Sequence, residues 1–232
     1  MTSTERRTAG ALSLSFIAIS GLHFSVFEQP LLPTRAAADV AAYLLASPAH
    51  ARLGALVDLF VFATGAAMAV ALYRLVREHR LSVFVLAALL VGMGVSVAIE
   101  LSTFAALSLA KTGSLDGIAA VQQARSAGYT LTMFFYGLAL TGWSWLALRG
   151  AQLARPLAWL GLAANVALVF VTAAKVVQPV ALELPVMAVS SVTMLFQVSA
   201  GVALLLPQRA RSASTPSASS ESGTKPWSST AS

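Results

Sequence analysis

The chain has 232 residues, 57% of them hydrophobic and only 10% charged, where a soluble domain carries roughly a quarter charged residues. This composition excludes an ordinary soluble domain and points to an all-α polytopic membrane bundle. The formal charge of +6 does not indicate nucleic acid, because the basic residues sit between apolar runs, where they act as topology signals. With no cysteine there is no disulfide, iron–sulfur cluster or thiol catalysis, and three histidines limit metal chemistry.

Residues 1–8 form a short polar N-terminus. The charged-then-apolar order of MTSTERRTAG and ALSLSFIAISGLHFSVF is that of a signal sequence, but no A-x-A pattern closely follows, so it is read as an uncleaved anchor. Six apolar runs reach the roughly 20 residues needed to cross a bilayer: Ala9–Phe27, Leu53–Leu75, Leu81–Ala110, Ser126–Leu148, Pro156–Val177 and Pro185–Leu206. Residues 9–206 thus make one membrane domain. Residues 207–232, rich in Ser, Thr, Ala and Pro, read as a disordered tail.

Alternating sides along the chain put ten Lys and Arg residues on one face and five on the other. The positive-inside rule then sets both termini in the cytoplasm. Short connections at Arg77–Arg80 and Gly150–Arg155 make the second and third spans, and the fourth and fifth, antiparallel neighbours. In the longest outer connection, Thr34 is the expected N-cap of a short helix reaching about Ala46, and Ser47-Pro48 the start of the second span. The expectation is a short outer helix across the mouth of the bundle.

Asp58 stands inside the second span, and a carboxylate in lipid costs roughly 2.5–3.5 kcal/mol on insertion scales. Residues at i, i+3, i+4 and i+7 share a helix face, so Gly54, Asp58, Val61 and Gly65 fall together, with small residues marking a helix contact. Comparable stripes are Ser20 and His23; Gly92, Ser96, Glu100 and Thr103; Arg125, Tyr129, Thr132 and Tyr136; Gly161, Asn165, Thr172 and Lys175; and Ser190, Met194, Gln197 and Gly201. At 1.5 Å per residue His23, Asp58, Glu100 and Lys175 all belong to the outer half, and Arg125 and Tyr129 enter from the same side. These six residues define a candidate polar pocket, open to or lidded from the outer face.

The order of LLPTRAAADVAAYLLASPAHARLGALVDL, a glutamate in the third span and RSAGYTLTMFFYGLAL resembles the bacterial multi-pass family catalogued as domain of unknown function 4386. The resemblance rests on a P-x-x-A-A loop, an R-x-G-x-x-x-D stretch (Arg52, Gly54, Asp58), and a G-Y then F-F-G pattern (Gly128, Tyr129, Phe135, Gly137) interrupted here by Tyr136. It implies the fold and a place in the bacterial inner membrane, and supplies no activity.

Asp58 and Glu100 admit two readings. Either they form internal ion pairs with Arg125 or Lys175 that fix helix packing, or one of them lacks a cation and is free to carry a proton or meet a ligand. Arg52 is six residues from Asp58, about 120° round the helix, and is a poor partner. His23 reads as a hydrogen-bonded core histidine; the metal alternative joins it to Asp58 and Glu100, with no local spacing signature. Haem lacks axial partners, since His50 and His79 lie at opposite membrane edges, and no cofactor motif appears. The function these residues support is a binding or accessory component, with an enzyme using His23, Asp58 and Glu100, or a small transporter component, as alternatives. Expected partners are the lipid bilayer, a small-molecule or lipid ligand, and a second copy or another membrane protein.

Overall fold

The structure, a computed structural model, describes residues 2–32, 34–177 and 182–207, less the side chains at 29 and 183. Among them lie seven α-helices: α1 (Ser3–His23), α2 (Ala37–Ala46), α3 (Pro48–Val76), α4 (Leu81–Lys111), α5 (Leu115–Arg149), α6 (Arg155–Val177) and α7 (Glu183–Leu205). All but α2 are long and apolar enough to cross a membrane. The shortest of the six apolar stretches, 22 residues, spans about 33 Å, against a hydrocarbon core of about 30 Å. Residues 208–232 of the expected tail lie outside the described residues.

The six long helices close into a ring in which α1 packs on α3 and α7, α3 on α4, α4 on α5, α5 on α6, and α6 on α7. The two pairs joined by short connections are neighbours, as those connections require. Outward faces carry Phe60, Phe84, Leu101, Phe170 and Leu195, all exposed, as lipid-facing surfaces of a bundle would be. Toward the chain termini the interior is filled by Met68, Leu72, Leu89, Trp143, Phe196 and Leu204. Thr2 and Glu5 cap α1 reciprocally, the Thr2 hydroxyl accepting from the Glu5 N–H (3.1 Å) and the Glu5 carboxylate from the Thr2 N–H (2.9 Å). Arg6 then donates to the carbonyls of Ala203 (2.6 Å) and Leu206 (3.1 Å), tying α1 to the otherwise unsatisfied end of α7.

At the opposite end α2 lies across the ring against α3, α4 and α5. Its Val40, Ala41 and Leu44 are buried with Leu31, Ala51, Ala106, Leu107, Ala110 and Ile118 in a second apolar core. The helix begins at Ala37, two residues later than a Thr34 cap implies, and Ala36 offers no side-chain cap. The cause is Gln122 of α5, whose amide donates to the carbonyls of Leu32 (3.0 Å) and Arg35 (3.2 Å) and holds this segment in a further turn. Pro48 opens α3 as expected, with Ser47 before it making no side-chain cap. Tyr43 anchors α2 to α3 through a 2.8 Å hydrogen bond to His50 Nδ1, and burial pushes the Tyr43 phenol pKa up.

Two sequence expectations shift. Helix α5 starts at Leu115, eleven residues before the expected span at Ser126, and its added turns pack on α2 and carry Asp116, Gln122 and Gln123. On α7 the inward face is Thr193, Phe196, Gln197, Ala200 and Leu204, while Met194 is 46% exposed. The α7 stripe is therefore rotated by about one residue from the one the spacing suggests.

Candidate functional site

Asp58 lies ten residues from the start of α3, Glu100 eleven from the end of α4 and Arg125 ten from the start of α5. Each is thus about 15 Å along its helix from the α2 end. The ring brings these three levels together just below the α2 core.

Arg125 is the centre of the cluster and is 3% exposed. One terminal nitrogen donates to the Ile99 carbonyl (2.9 Å) and to the hydroxyls of Thr103 (2.8 Å) and Ser102 (3.2 Å). The other donates to Glu28 Oε1 (2.5 Å), Glu100 Oε1 (3.2 Å) and the Tyr129 hydroxyl (3.3 Å). Tyr129 in turn donates to Glu100 Oε1 at 3.0 Å. One guanidinium therefore links α5, α4 and the end of α1 through charge-assisted bonds, the strong kind in a dry interior. Gly128 allows the close approach of α4: a Cβ there would stand 2.5 Å from Ile99 Cγ1.

Glu28 reaches this cluster through a local change of helix type. After His23 the chain makes a π-turn over Phe24–Glu28, followed by a 3-10 turn with Pro30 that ends the helix. In a regular α-helix residues 23 and 28 would be about 140° apart; hydrogen bonding from i to i+5 returns Glu28 to the side His23 occupies. Glu28 is 2% exposed.

His23 and Asp58 form the second part of the site. His23 Nδ1 is 3.8 Å from Asp58 Oδ1, and both side chains are buried. His23 Nε2 has no hydrogen-bond partner among the described residues. Gly54, one turn before Asp58, makes this contact feasible, since a Cβ at 54 would sit 2.9 Å from Phe27 Cβ. Phe27 in turn stacks on His23, ring centroids 5.9 Å apart.

Five of the six sequence-derived candidates, His23, Asp58, Glu100, Arg125 and Tyr129, stand together. Lys175 does not join them: in the ring α6 is not a neighbour of α3 or α4, which carry Asp58 and Glu100, and Lys175 forms no ion pair among the described residues. Glu28 takes the place the sequence assigned to it least. Glu28 was not among the sequence-derived candidates, and an acid five residues beyond His23 was its only signal.

For a metal, the compact donor set is His23, Glu28 and Glu100, whose ligand atoms lie within 4.8 Å of one another, rather than the set with Asp58. Arg125 already occupies both glutamates, so a divalent ion would have to displace a guanidinium. The donor chemistry does not fit a resident metal. Two carboxylates, Glu28 and Glu100, share the Arg125 guanidinium, whereas the third, Asp58, has His23 beside it.

The chain matches no curated protein and no solved structure. Residues 8–206, from the start of the first span to the end of the last, match the family described as Domain of unknown function (DUF4386), and this multi-pass membrane protein of unknown function belongs to that family.

Proposed function

We propose that the protein is a membrane-embedded binding component whose exchangeable element is Asp58 with His23, set beside a structural clamp of Arg125, Glu28, Glu100 and Tyr129. The ligand is a proton or a small cation. The observation that carries this reading is a charge imbalance: three buried carboxylates face one guanidinium and one imidazole. Even with His23 protonated, one negative charge is left over in an apolar interior. An uncompensated charge there costs several kcal/mol by order of magnitude, so a proton or cation supplies the balance. Topology follows the basic-residue asymmetry, with both termini on the cytoplasmic face of a bacterial inner membrane and the site in the outer half. The apolar core under α2 supports a lidded site over one open to the outer face.

Thermal unfolding in lipid nanodiscs across a panel of sodium, potassium, ammonium, magnesium and calcium ions tests the reading. A ligand at a hundred times its Kd contributes about 2.7 kcal/mol, a shift of about 5–11 °C for a chain of this size. The expected result is a cation-specific shift that Asp58→Asn abolishes. A panel with no specific shift at any pH between 5 and 9, or a shift unchanged in Asp58→Asn, would overturn the proposal.

An accessory role is the second reading, and the clamp favours it. Six donor–acceptor contacts on one guanidinium are what a packing device needs, and neutralising Asp58 without functional loss would support it.

A further inference from the structure

Asp58 has an approach from the side. Between α3 and α4 lies a crevice of about 60 Å³, where a single water requires roughly 10–15 Å³. Its rim is Leu56 and Leu59 of α3 and Leu101 and Phe104 of α4, and Asp58 and Glu100 lie at its floor. The rim residues are 45–60% exposed on the outward, lipid-facing side of the ring. The axial route, by contrast, is filled by the apolar core under α2. Asp58 is 5% exposed and forms no hydrogen bond among the described residues; its basic neighbour is His23 at 3.8 Å, and Glu100 lines the same crevice. A nine-tenths buried carboxylate with no hydrogen-bond donor therefore faces the floor of an apolar crevice open to the bilayer.

We infer that this crevice takes an amphiphilic primary amine from the membrane, its ammonium on Asp58 and its single apolar chain running out between Leu56 and Leu101 into lipid. The inference rests on the reading of Asp58 as the exchangeable acid and adds a membrane-borne cation, with its route, to the ligands that acid takes. Charge selects the head: an ammonium balances the leftover negative charge and supplies the donors Asp58 lacks. Hydrogen bonding selects within that class, since Asp58 needs an N–H donor and a quaternary ammonium has none to give. The rim, wholly apolar, selects a hydrocarbon tail and rejects a phosphate beside the amine, which the carboxylates would also repel.

The test uses the full chain in phosphatidylcholine nanodiscs with a dodecylamine derivative carrying a diazirine near its amine, irradiated and mapped by peptide mass spectrometry. Label is expected on the peptides holding Leu56, Leu59, Leu101 or Phe104, competed by dodecylamine but not by dodecanol or dodecyltrimethylammonium. Asp58→Asn should reduce it about tenfold or more, the loss of one charge-assisted hydrogen bond. Leu101→Trp fills the crevice from the lipid side at a position 60% exposed, and should abolish labelling while the thermal response to small cations persists. Label spread evenly over the outward helix faces, equal competition by dodecanol, or undiminished label in Asp58→Asn or Leu101→Trp would overturn the lateral site. If small cations still act through Asp58 in that case, only the lateral site falls; an unchanged cation response in Asp58→Asn removes the underlying reading, whatever the label does.

Discussion

Replacing Arg125 with methionine separates the clamp from the rest of the site. The guanidinium holds Glu28 at 2.5 Å and Glu100 at 3.2 Å, and both carboxylates are nearly inaccessible to solvent. Removing one partner of a buried ion pair costs about 3–5 kcal/mol, because the other charge stays buried and unpaired. For a chain of this size each kcal/mol moves the midpoint by about 2–4 °C, so Arg125→Met should melt about 6–20 °C lower in nanodiscs. Adding Glu28→Gln and Glu100→Gln to it removes the orphaned charges, and well-packed neutral replacements are often no worse than the pair itself. The triple variant should therefore recover most of the loss. A single variant within about 2 °C of the parent, or a triple variant as unstable as the single, would refute the clamp.

Other positions give sharper contrasts. Lys175→Met should leave the midpoint unchanged within about 0.5 kcal/mol, as surface substitutions away from special contacts do, and a larger loss would bring Lys175 back into the polar core. Gly54→Ala should cost about 1–3 kcal/mol by forcing Phe27 and the π-turn outward, whereas Gly21→Ala, where a Cβ meets nothing within 4 Å, should be neutral or stabilising; thermal melts of the two variants side by side decide it. Gln122→Ala frees the carbonyls of Leu32 and Arg35, and hydrogen exchange at residues 34–37 should accelerate with little change at α4; unchanged exchange would mean that Gln122 does not hold the segment.

The stripes on α1, α3, α4 and α5 were legible because a charge in an apolar helix has few places to point, and i, i+4 spacing then fixes which. That reasoning finds Asp58, Glu100 and Arg125 and the level at which they meet. Glu28 was hidden by the assumption of regular helix: its position depends on a π-turn, which no periodicity in FSVFE announces. The polar start of α5 was hidden for a different reason. Hydropathy reports contact with lipid, and residues such as Gln122 lie under α2, where polar groups meet protein. Lys175 shows the limit of depth as a criterion, since two residues at one level meet only if their helices are neighbours, and ring order is set by packing between helices rather than within them.

The first and third helices explain why a glycine and an aspartate stand four residues apart in the R-x-G-x-x-x-D stretch. His23 and Phe27 are also four apart, and the two helices run against each other. Gly54 meets Phe27 and Asp58 meets His23, so one turn of each helix interlocks with one turn of the other. The glycine lets the backbones approach closely enough for the acid to reach the imidazole, and Phe27, stacked on His23, limits the ring's freedom. Arg52 is exposed and outside this interlock, so the packing contacts of the stretch lie in its glycine and its acid. The interlock thus holds His23 by its Nδ1 edge, toward Asp58, and by its ring face, on Phe27, while Nε2 has no hydrogen-bond partner among the described residues.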